Sequence, residues 1–93
     1  MRLNVAQILI LCREAVNKEH PENMYPSFTR TAYVIKFLHG ASDALQVMKR
    51  RNEAGMIDDV ILGIKRDGIA HLLAKIREAD NMRDAVTAKL ETN

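Results

Sequence analysis

The sequence predicts an all-α protein, a compact up-down bundle of four or five helices with a long central helix near residues 27–52. Three observations carry this expectation: strong helix formers dominate throughout, both prolines fall within Pro21–Pro26, and no alternating β-branched run is bounded by turn residues. Ninety-three residues, 47% hydrophobic and 28% charged, fit one domain over residues 1–93 with a single core. A core that small is marginal, so self-association is a natural way to complete it.

The first helix is expected from about Leu3 to Lys18, ending before His20-Pro21, because a residue preceding proline is pushed out of the α region. Its main apolar stripe is Val5, Ile8, Leu9, Cys12 and Val16, and a second line, Leu3, Ala6 and Ile10, falls on another face. Such a helix is either sandwiched inside the bundle or leaves its second line for another chain. Leu3, Ala6 and Ile10 are therefore the candidate surface for self-association or a protein partner, with a homodimer the expected oligomer.

The segment from His20 to Pro26 reads as a loop, and Ser27 is placed to cap a second helix that runs to about Asn52 and stops at Gly55. At 100° per residue, Val34, Phe37, Leu38, Ala41, Ala44, Leu45 and Met48 share one wide stripe, in which Ala41 and Ala44 allow a close helix neighbour. All four aromatic residues, Tyr25, Phe28, Tyr33 and Phe37, lie in this region and are expected to anchor the packing.

Beyond Gly55, the apolar face of Ile57, Val60, Ile61 and Ile64 stops at Asp67-Gly68, a dipeptide that favours a turn or helix cap. A last helix begins near Ile69 with Leu72, Leu73, Ile76 and Ala79 on its face, and continues through Val86 to Leu90 with a recap at Asp80-Asn81.

The formal charge of +2 is too small for a nucleic-acid-coating protein, and the bases are spread over both halves of the chain. One cysteine, Cys12, cannot form an internal disulfide, which suits a reducing cytoplasm. The apolar run from Leu3 to Leu11 is too short to span a bilayer, and Asn4 and Gln7 interrupt it, so no membrane is expected as a partner.

Nothing in the sequence assembles a reaction centre. Cys12 sits on an apolar stripe without a neighbouring base, and His20, His39 and His71 have no His or Cys at ligand spacing. Asp58-Asp59 point about 100° apart and read as acids favouring a helix N-terminus, while Lys49-Arg50-Arg51 read as bases favouring a helix C-terminus, the alternative being contact with phosphate or an acidic partner, which Lys36 could join. No metal, cofactor or small-molecule substrate is implied.

The segment Leu62-Gly63-Ile64-Lys65-Arg66-Asp67-Gly68-Ile69-Ala70-His71-Leu72-Leu73 resembles the turn and second helix of helix-turn-helix DNA-binding modules, with Gly63 at the turn. The resemblance covers about twelve of the 93 residues and implies that Lys65, Arg66, His71 and Lys75 face DNA. It departs from the pattern at Asp58 and Asp59, where the first helix of such a module offers an apolar and a small residue.

The expected function is that of a small non-enzymatic helical interaction protein, binding a protein partner or itself through an exposed apolar helix face. Its size and mixed charge suit an accessory protein of a phage or mobile element. The alternative is a DNA-binding regulator with a helix-turn-helix-like element near residues 57–77.

Overall fold

The computed structural model describes the backbone of residues 3–91 and the side chains of residues 3–81. Four helices follow one another: α1 Val5–Glu19, α2 Ser27–Val47, α3 Arg51–Asp67 and α4 Ile69–Glu91. They form the expected all-helical bundle around one aliphatic core.

Helix α1 starts two residues later than expected because Asn4 caps it. The Asn4 side chain accepts from the Gln7 amide at 2.8 Å, and Gln7 Oε1 accepts from the Asn4 amide at 2.9 Å, a reciprocal capping box. The two polar residues that interrupt the apolar run thus mark the helix start. At the other end, the Arg30 guanidinium donates to the His20 carbonyl at 2.9 Å and to Asn17 Oδ1, so α2 holds the α1 C-terminus through a buried cation.

Ser27 does not cap α2. It is the first helical residue, and Pro26 stands at the cap position with no side-chain hydrogen bond. The expected end near Asn52 is also corrected. Helix α2 stops at Val47, and Lys49 adopts φ 62° in the left-handed region. The Lys49 amide donates to the Gln46 carbonyl and the Arg50 amide to the Leu45 carbonyl, at 3.0 and 2.8 Å, which is a Schellman turn. Gly55 therefore lies inside α3 rather than marking a stop.

Helix α3 ends as expected at Asp67-Gly68. Gly68 has φ 82° and ψ −169°, a conformation that residues with a β-carbon avoid, and it alone separates α3 from α4. Helix α4 passes through Asp80-Asn81 without a recap. The expected contributions of Val86 and Leu90 lie outside the described side chains.

The core takes Ile8, Leu9, Cys12 and Val16 from α1, Val34, Leu38 and Leu45 from α2, Ala54, Ile57, Val60, Ile61 and Ile64 from α3, and Leu72 and Ile76 from α4. No aromatic ring belongs to it. Tyr33 and Phe37 pack at its margin, Tyr25 is exposed, and Phe28 is 77% exposed, so the expected aromatic anchor is not formed. Aliphatic side chains fill the narrow spaces between four close helices instead.

Helix α1 touches all three of the others, as every helix of the bundle does, and it buries one stripe, Ile8, Leu9, Cys12 and Val16. The α2/α3 pair is pinned by a polar tie: buried Ser42 donates to Asp58 Oδ1 at 2.6 Å. Among the described residues no helix is long and apolar enough to cross a membrane.

Candidate interaction surface

Helix α2 is apolar over a wider arc than the core can cover. Val34, Leu38 and Leu45 point into the core, whereas Phe37 and Ala41 are half-buried and Ala44 and Met48 exposed. Adding Gly40 and Val47, these residues occupy an arc of about 120° at 100° per residue. From Tyr33 to Met48 that arc holds no charged side chain; Lys36 and Asp43 stand just outside it.

Its C-terminal end is the most uncovered. Val47 is 84% exposed and Met48 54%. On the α1 side the face continues across a groove of about 190 Å³, whose walls include Leu3, Leu11, Phe37, Ala41, Ala44 and Met48. Arg50 closes one end of this groove, donating to the Leu3 carbonyl and pairing with Glu53. That engagement raises the Arg50 pKa, chiefly through the hydrogen bond to Glu53. Lys49 and Arg50 accordingly lie in the α2–α3 turn and Arg51 opens α3, so the three do not share the C-terminal turn of one helix with Lys36 of α2 behind them.

The expected line of Leu3, Ala6 and Ile10 is not one surface. Leu3 lines the α1/α2 groove, Ala6 lines a second groove, and Ile10 is half-buried against the core. Because α1 has neighbours on several sides, its extra apolar residues are divided between them.

The second groove, about 490 Å³, runs between α1, α3 and α4 over Val5, Ala6, Leu9 and Val60. Arg66, His71 and Lys75 line it together; Lys65 does not. Both cations are matched within the chain, Arg66 by Asp67 at 3.0 Å and Lys75 by Glu78 at 3.2 Å. The hydrogen bond from Arg66 holds the Asp67 carboxyl below its usual range, helped by the charge of Arg66 and of His71. The His71 Nδ1 lies 3.9 Å from the same carboxylate.

The turn expected at Gly63 is absent, since α3 runs unbroken through it and the chain turns at Gly68. Gly63 serves a different purpose. A β-carbon there would collide with the His71 imidazole, so the bare backbone lets that ring lie against α3.

The other candidate chemical groups are occupied structurally. Cys12 is fully buried, and burial pushes its thiol up to about 12. Asp58 and Asp59 sit in the middle of α3 rather than at its N-terminus, where Glu53 is the acid of the first turn. Asp58 is tied to Ser42, and Asp59 faces the larger groove. Among the described residues no group of three His, Cys, Asp or Glu side chains is arranged to hold a metal ion.

Sequence reasoning missed Arg30 and Ser42 as buried polar ties, and it assigned the outer half of the α2 stripe to the core. Only the width of that stripe, together with exposed Gly40 and Val47 on its edge, signalled a second use. Comparison of the chain with family models, with curated proteins and with solved structures finds no match.

Proposed function

We propose that this chain is a non-enzymatic interaction module that binds protein through the outer face of α2. The observation that carries the reading is the uncharged face of α2, in which Gly40, Ala44, Val47 and Met48 are exposed beside half-buried Phe37 and Ala41, continuous with Leu3 and Leu11 across the α1/α2 groove. Contiguous apolar surface of this kind is characteristic of contact with another protein. The buried, high-pKa thiol of Cys12 and the matched charges of Arg66 and Lys75 support a binding rather than a catalytic role, because none of them is a free reactive group.

A photo-crosslinking residue at Val47, introduced in the cells that make the protein, tests the reading. Ala32, exposed outside that face, about 120° around α2 from Ala44 and fifteen residues before Val47, is the control position. Adducts formed at Val47 and not at Ala32 are expected. Equal yields, or none at either position, would overturn it.

A second reading, duplex DNA as ligand, is supported by the convergence of Arg66, His71 and Lys75 on one groove. It must recruit cations that already have partners and work without a turn at Gly63. Replacing Arg66 and Lys75 together by alanine should flatten the salt dependence of duplex binding by roughly one unit of log slope per residue, and Lys65→Ala, outside the groove, should not. Absence of duplex binding at low salt would remove this reading.

A further inference from the structure

Resting on the protein-binding reading above, we infer that the occupant of the α2 face is a second copy of this chain, packed α2 against α2 about a two-fold axis near residues 42–43. The face is self-complementary along its length. Phe37 stands at one end, Gly40, Ala41 and Ala44 in the middle, and Val47 and Met48 at the other. The order large, small, large reads the same in both directions, so reversing one copy sets Phe37 beside the other copy's Val47 and Met48. The small residues then meet at the crossing.

That arrangement is what two crossing helices require. Small side chains allow approach where the axes are closest, and bulky ones fill the space where the axes diverge. A β-carbon at Gly40 would touch nothing within the chain, so the middle of the face is open to a close neighbour. With no charge between Tyr33 and Met48 on the arc, two identical faces meet without like charges in the contact.

The full chain, followed by light scattering or sedimentation over a wide concentration range, is expected to form a dimer that dissociates on dilution. A short thiol-to-thiol crosslinker should join Ala44→Cys copies. It should not join Ala32→Cys copies, nor the wild type, whose Cys12 is buried. Ala44→Glu should remain helical and raise the dimer dissociation constant by about a hundredfold. If that variant unfolds, Val47→Glu, at the more exposed position, makes the same test.

A monomer at every concentration would overturn the inference, as would a dimer joined through Ala32→Cys and not through Ala44→Cys. The Val47 photo-crosslink separates this failure from that of the broader reading. An adduct of a mass other than twice the chain, with a monomeric protein, leaves protein binding standing and removes the second copy. No adduct at Val47 together with a monomer removes both.

Discussion

The imidazole of His71 lies where a β-carbon on Gly63 would have to be, so α4 approaches α3 at a point where α3 offers only backbone. Glycine within a helix is about 1 kcal/mol less favourable than alanine, yet here the substitution has no room unless His71 moves. Gly63→Ala should therefore destabilise by roughly 1–3 kcal/mol through overpacking. In the His71→Ala background the same change should be neutral or stabilising. Urea unfolding of the four proteins of this cycle at one protein concentration measures the coupling, and an equal effect of Gly63→Ala in both backgrounds would refute the steric account.

Lys49 is the one non-glycine residue at positive φ among the described residues, and it sits where a Schellman turn ordinarily takes glycine. Its amide and that of Arg50 close the turn, while its β-carbon is strained. Lys49→Gly should raise stability by about 0.5–1 kcal/mol, the relief of strain exceeding the added freedom of the unfolded chain. Lys49→Val should lower it, because a β-branched residue resists this conformation more strongly. Thermal denaturation that ranks valine at or above glycine would contradict the assignment.

That turn also explains where sequence reading reaches and where it stops. Gly68 was legible because its φ and ψ suit only glycine, and the turn falls where the apolar period of α3 breaks. The α2–α3 turn was not, since backbone bonds to the Leu45 and Gln46 carbonyls leave no mark on the sequence, and Gly55 offered a false stop. The aliphatic core was legible by its spacing. Arg30 and Ser42 were not, because their burial depends on Asn17, the His20 carbonyl and Asp58, which only the tertiary fold brings to them. For the interaction surface, periodicity gave the apolar width of α2 but could not divide it between core and exterior. Dividing it requires knowing that α1 covers one margin and leaves the other open.

Burial raises the Cys12 thiol pKa to about 12 from its ordinary value of 9.0, and this shift carries a pH signature. The folded state keeps the proton that the unfolded chain releases in the window between those values. Cys12 thus stabilises the fold fully below pH ~9, and that contribution is lost as pH rises towards ~12. Lysines and tyrosines titrate in the same range, so the informative quantity is the wild type minus Cys12→Ala difference. That difference should shrink with rising pH. Alkylation of the native thiol at neutral pH should also be far slower than in urea, and equal rates would mean that Cys12 is accessible.

Leu38 and Val47 lie on one helix and differ most in what surrounds them, the first fully buried and the second 84% exposed. Leu38→Ala should cost about 2–5 kcal/mol by leaving a cavity, at any protein concentration. Within an isolated chain Val47→Ala should cost less than ~0.5 kcal/mol, since it removes methyl groups that already face water. If a second copy covers that face, the cost of Val47→Ala must depend on concentration: near zero when the protein is dilute, and rising as mass action populates the dimer. Denaturation of both variants below and above the concentration at which the wild type associates separates the two kinds of apolar residue. A Val47→Ala cost that stays flat across that range would place Val47 outside any interface, and a Leu38→Ala cost below ~1 kcal/mol would remove Leu38 from the core.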